Sequence, residues 1–203
     1  MDAIFLSASM PEPNRPGFDT ADPLLIHAAI RSFLTLALGR RRIVFGGHPS
    51  ITPMVLAACE NFGLEYLDCV SIYQSKYFTK EFPKYNDQFV NLNLVDAGKT
   101  KEESLRKLRE TIFNENDFVG AVFIGGMEGV EAEYNYLRQL QPEAISIPIF
   151  SAGGVAAQLA VRNGKDPEPE DLANDFTTIF ATKLEIDIAE QRHVPKQNTG
   201  PRI

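Results

Sequence analysis

The stretch Phe123-Ile124-Gly125-Gly126-Met127-Glu128-Gly129-Val130-Glu131-Ala132-Glu133-Tyr134 is expected to be a buried strand that breaks into a glycine turn and continues as a helix. Upstream, Phe118, Val119, Ala121 and Val122 extend an almost continuous apolar run, as in a central parallel strand covered on both faces. Glycines at 125, 126 and 129 let the backbone approach a ligand, and the free N–H groups of a helix start attract an anion. Gly125, Gly126, Met127, Glu128 and Gly129 are therefore assigned to a ligand seat, with phosphate as its natural guest. A single glycine pair also makes an ordinary αβ turn, so the assignment depends on a second turn of the same build.

That second turn is present. Ile43-Val44-Phe45 precedes Gly46-Gly47-His48-Pro49-Ser50-Ile51-Thr52-Pro53, and an apolar helix follows from Met54 to Phe62, closed by Gly63. Ser50 or Thr52 can cap this helix, and together with Gly46 and Gly47 they form an anion nest. His48, constrained between Gly47 and Pro49, can donate to a phosphate, act as an acid or base, or make a structural hydrogen bond. Two further strand ends have the same character: Ala3 to Leu6 runs into Ser7-Ala8-Ser9, and Ala144 to Phe150 runs into Ser151-Ala152-Gly153-Gly154. Ser7, Ala8, Ser9, Gly153 and Gly154 join the ligand-binding set. The Pro-rich segment Met10 to Asp19 must lie over the surface, and its Arg15 is assigned as a phosphate clamp.

The remaining pattern alternates helix and strand. Thr20 is expected to cap a long first helix ending near Gly39, with Arg40, Arg41 and Arg42 suited to its C-terminus. Leu67 to Ile72 is expected as the third strand. An aromatic insert from Tyr73 to Tyr85 and an alternating strand from Phe89 to Val95 come next. Thr100 caps an amphipathic helix carrying Leu105, Leu108, Ile112 and Phe113. A final helix is expected from Asp171 to Ile188. The whole predicts an α/β, Rossmann-like three-layer sandwich with a mostly parallel central sheet, one domain over residues 1–190 and a tail over 191–203, frayed from Gln197. Ligands of such sheets bind outside the carboxyl ends of the strands.

Composition narrows the function. The 203 residues, 44% hydrophobic and with net charge -7, can bury one substantial core and carry no basic stripe for nucleic acid. Cys59 and Cys69 match no zinc spacing, and no metal or cofactor is implied. No signal core or membrane span is seen, so a cytoplasmic location and no membrane partner are expected.

Ser7-Ala8-Ser9, the Gly46-Gly47-His48-Pro49 turn and Gly125 to Glu133 together resemble the SLOG superfamily, the Rossmann-like fold shared by Smf/DprA and LOG proteins. The resemblance covers most of the chain. LOG enzymes carry Pro-Gly-Gly-x-Gly-Thr-x-x-Glu and split ribose-5'-phosphate from a nucleoside monophosphate, using the glutamate and an upstream arginine. Gly129 to Glu133 keeps the final spacing, and Arg109 falls roughly where that arginine would. Ile124 replaces the proline, Val130 replaces the threonine, and Glu128 is an added residue. Other SLOG members resemble sensors of ADP-ribose, NAD-like or cyclic derivatives, often coupled to TIR-type effectors in bacterial defence.

The resemblance thus implies a module that binds a nucleotide-derived small molecule as a sensor, expected as a homodimer with a TIR-type effector partner. The alternative is a LOG-like phosphoribohydrolase with Glu133, Glu131, Arg109 and His48 as catalytic candidates. A third reading is a pure interaction protein whose glycine turns are structural.

Overall fold

A computed structural model describes residues 1–82, 84–162, 167 and 169–193. Six strands form one all-parallel sheet: β1 (Ala3–Ser9), β2 (Arg42–Phe45), β3 (Val70–Ser75), β4 (Asn91–Val95), β5 (Phe118–Gly125) and β6 (Ile145–Pro148), in spatial order β4-β3-β2-β1-β5-β6. The helices are α1 (Pro23–Ala37), α2 (Thr52–Phe62), α3 (Lys101–Glu115), α4 (Glu128–Leu140), α5 (Gly154–Val161), α6 (Pro169–Leu172) and α7 (Phe176–Lys183). The expected α/β Rossmann-like architecture is therefore present.

The strand runs read as continuously apolar because both faces are covered. On one face Ile4, Leu6, Ile43, Phe45 and Ile124 pack with Ile30 and Phe33 of α1, Val55 of α2 and Phe180 of α7. On the other, Phe5, Val44 and Phe123 pack with Ile112 and Phe113 of α3, Val130 and Leu137 of α4 and Val155 of α5. The chain moves outward from β1 to β4, then returns through α3 to β5 on the other side of β1. The strand order therefore reverses between β1 and β5, and this is where open parallel sheets leave a crevice at their carboxyl ends. Because every pairing is parallel, the turns after β1, β2, β5 and β6 all lie at that one edge.

Several local expectations are corrected. Asp22, not Thr20, caps α1, its carboxylate accepting from the N–H groups of Leu24 and Leu25 at 2.9 and 3.1 Å, while Thr20 closes a short 3-10 turn. Neither Ser50 nor Thr52 caps α2; Ile51 holds that position, and the Thr52 hydroxyl donates back to the His48 carbonyl at 3.0 Å. The third strand starts at Val70 because Leu64–Cys69 form a 3-10 turn, so Tyr73 belongs to β3 and is buried. The final helix is interrupted: α6 ends at Leu172, and Asp175 then caps α7 afresh through the Thr178 N–H at 3.2 Å.

The basic run after α1 does serve its C-terminus, since Arg40 Nη1 donates to the Leu36 carbonyl at 2.8 Å. The first residues of the expected tail are docked there too. Arg192 donates to the carbonyls of Thr35 and Leu38, and the His193 N–H donates to the Gly39 carbonyl at 2.6 Å. The frayed stretch from Gln197 lies outside the described residues. Among the described residues no helix is long and apolar enough to cross a membrane.

Candidate functional site

A buried carboxyl group, that of Glu133, lies at the switch point, bonded from β1 and within the field of an arginine on α3. Glu133 lies in the second turn of α4, one turn deeper than a position at the helix start. Ser7, third from the end of β1 and 2% exposed, donates its hydroxyl to Glu133 Oε2 at 2.5 Å. Burial pushes the Glu133 carboxyl pKa up, while the Arg109 charge and the Ser7 hydrogen bond pull it back without cancelling the effect. Because Ser7 fixes Oε2, Oε1 is the oxygen left to work, and it faces Gly46 at the end of β2.

Arg109 completes the group from α3. Its Nε is buried without a hydrogen-bond partner, and among the described residues no ion pair holds its head group. Arg106, one turn earlier, is instead spent on Glu110 at 2.6 Å. Two glycines border this pair of side chains. A Cβ at Gly46 would lie 4.0 Å from Glu133 Oε1, and one at Gly129 would lie 3.7 Å from Arg109 Nη2. Among the described glycines these two alone have neither a positive φ nor a close neighbour that would demand glycine. Their missing side chains leave room beside a carboxyl group and a guanidinium that has no partner among the described residues.

The Gly125–Gly126 turn serves a different purpose. Both residues have positive φ, 61° and 81°, and the Gly126 N–H is already spent on the Ser9 carbonyl at 2.9 Å. Gly153 and Gly154 are likewise packing positions, with their Cα atoms set against the backbones of Thr20 and Gly125. Ala8 packs against the core.

The Pro-rich segment crosses the start of α4 as a strap. Arg15 pairs with Glu128 at 2.9 Å, both side chains about half exposed, and the Glu12 N–H reaches Met127 Sδ at 3.5 Å. The added glutamate is thus balanced by the arginine expected to clamp phosphate, in a surface pair that holds weakly. On the other side, the Met10 N–H donates to Ser50 Oγ at 3.3 Å.

Glu131 does not share the space of Glu133. Two residues along the helix, it turns to Arg162, which also bonds Asn135.

One buried network carried no sequence signal. Gln74 Nε2 donates to the Gly47 carbonyl at 3.2 Å, and Gln74 Oε1 accepts from Asn86 Nδ2 at 2.7 Å, pinning the β2–α2 turn from β3. Among the described residues no group of three or more His, Cys, Asp or Glu side chains is arranged to hold a metal.

No curated protein matches the chain. A family model does: with a parallel sheet whose switch point carries Ser7, Gly46, Arg109, Gly129 and Glu133, and with residues 17–184 matched by the SLOG cluster3 family model, this chain belongs to the SLOG cluster3 family.

Proposed function

We propose that this protein binds a nucleotide-derived small molecule at the β1/β5 switch point and acts as a sensor of it, with ADP-ribose, NAD-like or cyclic derivatives as the ligand class. The observation that carries the reading is the space left by Gly46 and Gly129 beside Glu133 and Arg109, which has no partner among the described residues. Arg109 supplies the N–H donors of Nη1 and Nη2 for an anionic phosphate, and Glu133 Oε1 supplies an acceptor for a ribose hydroxyl. A nucleotide carries both groups within reach of each other. A homodimer and a TIR-type effector would be the protein partners of such a sensor.

The test is calorimetric titration with AMP, ADP-ribose and NAD. At least one is expected to bind, raising the melting temperature in proportion to the logarithm of its concentration. Gly46→Val, whose branched side chain enters the space in front of Glu133 Oε1, is expected to abolish that binding with the fold intact. If none of the three binds at millimolar concentration, the nucleotide reading is wrong and the glycine turns are structural.

A second reading rests on the raised Glu133 pKa, since a carboxyl poised by burial is suited to acid or base work on a glycosidic bond. It is the LOG-like phosphoribohydrolase. Against it, the helix start offers a buried Val130 where LOG enzymes have a hydroxyl, and Arg15 is engaged by Glu128. Rapid multiple-turnover release of free base from a nucleoside monophosphate would favour the enzyme.

A further inference from the structure

We propose that His48 is a neutral hydrogen-bond donor that reads an acceptor atom of the bound ligand through Nε2–H, rather than a group that exchanges protons with it. The inference rests on the nucleotide-binding reading of the site and adds to it the role of this side chain.

The argument is one of donor and acceptor counting. The Ser50 backbone N–H lies 3.3 Å from His48 Nδ1 and can only donate, so Nδ1 must be an acceptor. With Nδ1 an acceptor, the Ser50 hydroxyl, 2.8 Å from the same nitrogen, donates its proton to it, while the hydroxyl oxygen accepts from the Met10 N–H at 3.3 Å. Two donors thus converge on Nδ1. A proton there would face the Ser50 N–H directly, so the neutral ring carries its proton on Nε2.

The surroundings favour the same state. Burial lowers the His48 pKa, and Glu12 on the strap, among the described residues the one charged side chain acting on the ring, raises it by less. Nε2 has no partner among the described residues and is not sealed inside the protein. The turn that carries it is rigid, because the Ile51 and Thr52 N–H groups and the Thr52 hydroxyl all donate to the His48 carbonyl at 2.9 to 3.0 Å. A fixed N–H donor one residue beyond the Gly46–Gly47 turn suits a phosphoryl, carbonyl or ring-nitrogen acceptor.

Two measurements test this. Long-range nitrogen–proton NMR of the free protein is expected to report the Nε2–H tautomer at pH 7, still neutral at pH 6.5. With ADP-ribose as probe, affinity is expected to stay level from pH 6.5 to 8. His48→Ala should lose about tenfold, as for one hydrogen bond, while His48→Gln, whose amide can reach the Nε2 position, should recover most of it. An imidazolium or an Nδ1–H tautomer at pH 7 overturns the inference whatever binds. ADP-ribose binding that His48→Ala leaves unchanged, or that tracks a titration near pH 6.5, overturns the inference and leaves nucleotide recognition standing. If the wild type binds no nucleotide, both fall.

Discussion

Glu133→Gln is expected to make the free protein more stable at pH 7, by about 1 kcal/mol, while weakening nucleotide binding by about 1.5 to 3 kcal/mol. The stability gain follows from the sign of the pKa shift. Burial raises the Glu133 pKa in the fold above its unfolded value, so the fold disfavours the ionised form. That penalty is fully present above the folded pKa and disappears as pH falls below the unfolded value, about 4.3. Glutamine removes the charge yet keeps an acceptor for the Ser7 hydroxyl.

Urea denaturation should therefore separate the two proteins at pH 7 and bring them together near pH 4. The binding loss follows because the position of Glu133 Oε1, which faces Gly46, is then taken by a weaker amide acceptor or by an amide NH2 that cannot accept. A variant that is less stable at pH 7 would mean that the carboxylate is a structural anchor for Arg109. A variant of unchanged affinity would remove Glu133 from the ligand site.

Much of the fold was legible because apolar runs and glycine turns have local signatures. The continuous run into Gly125 and the repeat of strand, glycines and helix at Gly46 are read directly, and the parallel pairing then brings both turns to one edge. What was not legible depends on three-dimensional pairing. Glu131 and Glu133 were both catalytic candidates, with Glu133 at the motif's final spacing, but about 200° of helix rotation separates them, so Glu133 meets Ser7 and Glu131 meets Arg162. Arg15 looks like a free clamp until Glu128 is seen beside it. Gly153 and Gly154 look like a third phosphate turn, yet their surroundings are backbone atoms. The Gln74–Asn86 relay spans two segments with no shared pattern.

The glycines divide by function in a way that stability measurements can expose. Gly153 has φ 70°, and an added Cβ would lie 1.8 Å from the Thr20 carbonyl oxygen, a backbone atom just beyond the strap that cannot turn aside. Gly153→Ala is therefore expected to cost at least about 3 kcal/mol, combining left-handed strain with a clash that forces the Thr20 backbone away from the β6–α5 turn. Gly129 is the opposite case. It lies in the first turn of α4 with no positive φ, and its nearest atom would be the end of the Arg109 side chain at 3.7 Å. Gly129→Ala should therefore stabilise the protein by about 0.5 to 1 kcal/mol through helix propensity and a less flexible unfolded chain. It should also weaken nucleotide binding by filling space beside the guanidinium. Urea denaturation and calorimetry on both variants decide the matter. Destabilisation by Gly129→Ala would make that glycine a requirement of the fold, and unaltered binding would mean that the ligand does not approach α4 there.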